Sequence, residues 1–169
     1  MQLRPWLPAD AESLTRHAND RRIWRNLRDV FPHPYTRADA EAFIAFAERR
    51  PPPTTLAIVI DDEAVGGIGC RLHDDVERIS AEVGYWLGAA HWGRGVMTDV
   101  VRTYARLLFG ARPELRRLYA IPYAWNDASM RVLEKAGWRL EGRMRQSALK
   151  DGEVTDQLLY ALLRDELDA

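Results

Sequence analysis

Residues 91–98 read His91-Trp92-Gly93-Arg94-Gly95-Val96-Met97-Thr98, and this octapeptide organises everything on either side of it. Upstream, Arg78 to Leu87 alternates. Ile79, Ala81, Val83, Tyr85 and Leu87 fall on one face, and Ser80, Glu82, Gly84 and Trp86 on the other, the period of a strand. Downstream, Val96, Val100, Tyr104, Leu107 and Leu108 make the core stripe of a helix from about Val96 to Phe109, which Gly110 and Pro113 should end. Two glycines between a strand and a helix allow turns that a Cβ would block and let backbone come close to a ligand. The first N–H groups of the helix lack intrahelical acceptors and point at the same spot, where the helix dipole favours an anion. Chemically this is a seat for a pyrophosphate. Two well-known versions do not fit. No Gly-Lys-Ser/Thr follows, as a Walker-type loop requires, and Thr98 stands where the third glycine of a dinucleotide fingerprint belongs.

Working outward, Thr55 to Ile60 and Ala64 to Leu72 read as two strands joined by a tight acidic turn, Asp61-Asp62-Glu63. Gly66-Gly67-Ile68-Gly69 leads into strand-like residues, so it reads as a bulge or a close-packed strand. Before Pro51-Pro52-Pro53 the chain is largely helical. Thr36, with Asp39 three residues on, suits a helix start, and Ala40, Phe43, Ile44 and Ala47 follow helical spacing. Leu3 to Trp6 is a weak first strand. After the central helix come a short strand, Leu118 to Tyr123, and a helix from about Asp127 to Ala136, with Asn126 as N-cap and Gly137 as stop. Trp138 to Leu149 and Glu153 to Leu163 form a β-hairpin across Asp151-Gly152. The expected order is β-α-α-β-β-β-α-β-α-β-β. This is an α/β (α+β) fold: a central, mixed, mostly antiparallel sheet of about seven strands flanked by helices.

The length, 169 residues, fits a single domain over residues 1–169. A formal net charge of -1 provides no basic field for direct nucleic-acid binding and no acidic excess for disorder. Lys135 and Lys150 are the only lysines, and the many arginines are scattered among acids. Cys70 is the only cysteine, which excludes an internal disulfide and favours a reducing compartment. Met1 to Pro8 has no apolar stretch suited to a signal peptide, and Leu56 to Ile60, the longest aliphatic run, is far too short for a membrane span. A cytoplasmic protein with no membrane partner is expected. His17, His33, His73 and His91 show no metal-ligand spacing, so no metal is expected.

Gly93-x-Gly95, between the fourth strand and the next helix, resembles the acetyl-CoA pyrophosphate loop of the GNAT superfamily of N-acetyltransferases, Q/R-x-x-G-x-G/A. Ala90 departs from it at the first position. The run Glu82-Val-Gly-Tyr-Trp-Leu87 ahead of Trp92-Gly93-Arg94-Gly95 is similar to the Rim-type branch, which acetylates ribosomal-protein N-termini. A second segment, Asn126-Asp127-Ala128-Ser129 to Leu133-Glu134-Lys135-Ala136-Gly137-Trp138, resembles that family's N-x-x-S-x-x-x-L-E-K-x-G-F/W. Lys150-Asp151-Gly152, with Asp156 and Tyr160, extends the likeness, which covers about Ala64 to Leu163.

The resemblance implies one GNAT domain, with acetyl-CoA as co-substrate and an amine as acceptor. It also implies strands four and five splayed apart, where Pro122 either suits the splay or only ends its strand. Coenzyme contacts fall on Trp86, Leu87, Trp92, Gly93, Arg94, Gly95, Val96, Met97, Thr98, Asn126, Ser129 and Arg131. Glu82 is the expected base, because transfer needs a neutral amine and a carboxylate, directly or through water, can take its proton. The competing reading of Glu82 is an ion pair with an arginine. Ser129 is the expected acid toward the departing thiolate, or else completes local capping bonds. Tyr119, Tyr123 and Tyr160 are alternative acids or core aromatics. The acceptor is expected to be a protein or peptide N-terminal amine, with a small amine (polyamine, aminoglycoside or amino-acid-like compound) or a non-catalytic coenzyme-binding module as the alternatives. The aromatic content of the tail suggests a homodimer.

Overall fold

The structure, a computed structural model, describes residues 1–167. Its strands are β1 (Gln2–Arg4), β2 (Thr55–Ile60), β3 (Glu63–Leu72), β4 (Ser80–Leu87), β5 (Arg117–Ala120), β6 (Arg139–Lys150) and β7 (Glu153–Leu163). Its helices are α1 (Ala11–Ala18), α2 (Arg21–Trp24), α3 (Arg37–Glu48), α4 (Val96–Ala111) and α5 (Asp127–Lys135). Three helices, not two, precede the first hairpin. The extra turn, α2, starts at Asp20, whose side chain accepts from the Arg22 N–H. The seven strands form one sheet in the order β1-β2-β3-β4-β5-β7-β6. β4 and β5 run parallel, whereas β1–β2, β2–β3, β5–β7 and β6–β7 are antiparallel. The expected mixed, mostly antiparallel sheet with flanking helices is what the chain forms.

The chain divides into two compact units. One comprises Met1–Gly69 with Tyr85–Val96, the other Cys70–Gly84 with the chain from Met97 onward. In the first unit α1 and α3 cover a core of Trp6, Leu14, Ala18, Tyr35, Ala40, Ile44, Ala57 and Val59, with Phe31, Phe43 and Trp86 packed against it. α3 begins as its sequence directs: Thr36 accepts from the Asp39 N–H, and Asp39 returns a bond to the Thr36 backbone. At the β2–β3 turn Asp61 and Asp62 have φ of 50° and 63°. That pair of left-handed residues matches strand twist in a two-residue hairpin, and it leaves Glu63 in the strand. The β3 glycines are there for packing. A Cβ at Gly66 would lie 2.5 Å from the Trp86 carbonyl oxygen, and one at Gly69 would lie 2.7 Å from that of Thr54. The β2–β3 register also shifts between Ile58 and Val59, so both readings of this segment, bulge and close packing, apply.

In the second unit the buried side of α4 is Met97, Val100, Val101, Tyr104, Ala105 and Leu108. Leu107 is exposed and lies off this stripe, because i, i+3, i+4, i+7 spacing from Val101 selects Tyr104, Ala105 and Leu108. α4 also passes through Gly110 to Ala111 instead of stopping before it. Its end is held by Arg164, whose guanidinium donates to the carbonyls of Phe109 (3.0 Å), Arg112 (2.7 Å) and Leu115 (2.8 Å). A cation on the last carbonyls satisfies them and opposes the helix dipole. α5 has Asn126 as N-cap and Gly137, at φ 90°, just past its end. Asp151 and Gly152, at φ 54° and 76°, close the β6–β7 hairpin. Trp138 and Tyr160 are buried in this unit.

Candidate active site

In the first unit, β4 ends at Leu87 and the chain enters a short turn, Ala89–His91. Gly88 is close-packed there, since a Cβ would lie 2.6 Å from His17 Nδ1. His17 also hydrogen-bonds Glu63 through Nε2, and its ring meets that of His91 edge-on at 5.8 Å. Burial holds the His91 imidazole below its ordinary range, and the nearby His17 and the Arg94 guanidinium add to this. The turn therefore rests on a packed polar base. Trp92 donates from Nε1 to the Leu87 carbonyl at 2.7 Å. Its ring is 44% exposed and lies 5.3 Å from the Arg22 guanidinium carbon.

Gly93 and Gly95 have φ of 74° and 78°. A Cβ at either would meet no atom within 4 Å. Packing therefore does not demand these glycines. The backbone turn does, and it leaves open space beside the peptide groups. Arg94 between them is exposed, while Met97 and Thr98 in the first turn of α4 are buried. Exposed turn amides leading into a 16-residue helix suit a phosphate group. Trp86 is half-buried, with the Phe31 ring 5.8 Å away, and Leu87 is buried.

In the second unit, β4 pairs with β5 in the register Ser80↔Arg117, Ala81↔Leu118 and Glu82↔Tyr119. β5 stops at Ala120, whereas β4 continues to Leu87. The expected strand from Leu118 to Tyr123 is thus shorter, and Pro122 lies beyond it. The Pro122 carbonyl accepts from the Leu158 N–H at 3.0 Å, and the Ala124 N–H donates to the Asp156 carbonyl at 2.9 Å. Tyr123 bridges Gln157. Proline, lacking an N–H, ends β5 as the chain swings along β7.

Glu82 is mostly buried, with a side chain 13% exposed, and accepts from Arg71 Nη2 at 2.7 Å. The ion pair foreseen as the competing reading of Glu82 is therefore present. Asn126 Oδ1 accepts from the Ser129 N–H at 3.2 Å. Ser129 is half-buried and Arg131 is exposed. Tyr160 donates to Glu134 at 2.8 Å, and burial followed by that bond pushes its hydroxyl up to about 12. Arg71 and His73, both set around Glu82 and Tyr119, were missed by the sequence reading. Arg71 in β3 and His73 just past its end alternate as any strand does, and the length of the β3–β4 connection hid which residues face each other. Among the described residues, no group of three or more His, Cys, Asp or Glu is placed to hold a metal, and no helix is long and apolar enough to cross a membrane.

The acetyltransferase (GNAT) domain family matches residues 1–139. The chain belongs to the GNAT family. It is 38% identical over 87 residues to the probable N-acetyltransferase YjcK of Bacillus subtilis, covering 52% of this chain and 48% of that protein. It is 29% identical over 105 residues to the ribosomal-protein-serine acetyltransferase of Escherichia coli, covering 62% and 58%. The matches thus span about half to three-fifths of these curated relatives. Among solved structures, Mycobacterium smegmatis RimJ in complex with CoA-disulfide superposes with a TM-score of 0.82 at 24% identity, over 99% of this chain and 83% of that one. At that identity the likeness establishes a shared GNAT fold.

Proposed function

We propose that the chain transfers an acetyl group from acetyl-CoA to a primary amine, and that residues 1–169 act as one GNAT acetyltransferase domain. The observation that carries this is the Gly93-Arg94-Gly95 turn: two left-handed glycines with open space beside them, leading into α4, in a chain of this family. The family match also crosses from one compact unit into the other. The residues assigned to the coenzyme here are the backbone N–H groups from Gly93 to Thr98 and the side chains of Trp92, Arg94 and Arg131. Asn126 and Ser129 meet the pantetheine end.

The chemistry is direct attack. Glu82, alone or through a water, takes a proton from the substrate ammonium, and the neutral amine adds to the thioester carbonyl carbon. The oxyanion that forms is met by backbone N–H groups near Trp86 and Leu87. As the carbon–sulfur bond breaks, the nitrogen loses its second proton to solvent, and the coenzyme leaves as a thiolate that takes a proton from solvent, directly or through Ser129, which solvent then reprotonates. The products are an amide and coenzyme A.

For the acceptor we propose a protein or peptide N-terminal amine. The support is the Glu82-Val-Gly-Tyr-Trp-Leu87 run and the likeness to the ribosomal-protein-serine acetyltransferase. The test is acetyl transfer to N-terminal peptides set against polyamines and aminoglycosides. Transfer to peptides is expected, and transfer to small amines alone would overturn the choice of acceptor.

A further inference from the structure

Four polar side chains of the second unit form a chain of contacts that ends on Glu82. Arg71, near the end of β3, donates to Glu82 Oε2 at 2.7 Å. The Glu82 charge, and then the nearby Tyr119 hydroxyl, hold its guanidinium above the ordinary range. Glu82 and Tyr119 are register partners on parallel strands, so their side chains leave the same face of the sheet. His73 stacks on the Tyr119 ring, with centroids 5.7 Å and planes 12° apart, and its Nε2 lies 2.7 Å from the hydroxyl.

Exposure makes this arrangement informative. The Glu82 side chain is 13% exposed, but that of Arg71 is 61%. An arginine so open to water gains little from a single ion pair, because screening and side-chain entropy offset it. Here the guanidinium also has the Tyr119 hydroxyl nearby, and Tyr119 is itself held by stacking and by a hydrogen bond. The Arg117 guanidinium, 5.8 Å from the Tyr119 ring, is engaged by Glu141.

We infer that Arg71, Tyr119 and His73 are positioning residues, which fix the Glu82 carboxylate in the orientation from which it takes the proton of the amine. This rests on the reading of Glu82 as base. A general base works only within hydrogen-bond reach of the proton, and misplacement by about an ångström costs on the order of a hundredfold in rate.

The test is a double-mutant cycle on acetyl transfer, with Tyr119→Phe made in the unmutated chain and in Glu82→Gln. Tyr119→Phe is expected to lower kcat about tenfold, with KM for both substrates within about twofold. The same change on Glu82→Gln is expected to cost nothing further, because groups that act as one unit are non-additive. Arg71→Lys, at the exposed member and so without disturbing the core, keeps the charge but loses the planar guanidinium that holds Glu82 beside Tyr119. It should match Tyr119→Phe. Equal losses in both backgrounds, or a fully active Arg71→Lys, would overturn the positioning role while leaving the enzyme intact. Silence of the unmutated chain with every amine, or indifference to Glu82→Gln, would overturn the reading beneath it, and either is visible without the Tyr119 variants.

Discussion

Glu82 and the glycines of the turn carry the chemistry at the scale of single residues. Glu82 is both an ion-pair partner of Arg71 and the proposed base, and the two roles are compatible, since an oriented carboxylate serves better than a mobile one. Glu82→Gln should lower acetyl transfer at least about tenfold near neutral pH with acetyl-CoA affinity unchanged, as removal of a general base does. Thiol release and calorimetric binding would check this. At Gly95, φ of 78° is a conformation that costs an L residue about 1 kcal/mol or more. Gly95→Ala should therefore weaken acetyl-CoA binding roughly fivefold or more by distorting the turn, since no side chain stands in the way of the methyl. Unaltered binding would mean that the turn is not the seat. Cys70 is buried near the end of β3. Cys70→Ala should leave turnover intact, and a large loss would argue for an acyl-enzyme in place of direct attack.

Among the elements, β1 and α1 are tied together by Asp10. Arg4 reaches it with two bonds, 2.7 and 2.8 Å, and the Leu7 N–H donates to it at 2.9 Å. Burial alone would raise the Asp10 carboxyl, but Arg4 and the Leu7 N–H outweigh it and hold the group below its ordinary value. A carboxyl depressed in the folded state stabilises at neutral pH, and that stability is lost as pH falls through the folded value. Asp10→Asn should cost about 2 kcal/mol at pH 7, with the deficit shrinking as pH falls below the ordinary aspartate value of about 3.9, as denaturant unfolding at several pH values would reveal. A constant deficit across that range would contradict this role. The elements were largely legible in the sequence because their signals are local: the Thr36 cap, the Asn126 cap, and the Asp151-Gly152 turn each satisfy backbone groups nearby. The misjudged boundaries had non-local causes. α4 outruns Gly110 because Arg164, over fifty residues on, holds its end, and β5 stops short of Pro122 because β7 takes over its backbone groups. The site divides in the same way. The glycine turn announces itself in sequence, whereas Arg71 and His73 become visible only when strands set Glu82 beside Tyr119.

For the molecule as a whole, the sheet order β1-β2-β3-β4-β5-β7-β6 and the match over residues 1–139 give one family to a chain that contains two compact units. The acceptor is the part least written in either sequence or fold, because it depends on which amine can approach Glu82 and not on the turn that seats the coenzyme. The account's central claim is acetyl transfer from acetyl-CoA with Glu82 as base. Its most direct test is thiol release from acetyl-CoA with a panel of N-terminal peptides, polyamines and aminoglycosides, run in parallel with Glu82→Gln. The account predicts release with peptides, reduced at least about tenfold in the variant. Release that Glu82→Gln leaves unchanged, or no release with any amine despite acetyl-CoA binding, would contradict it.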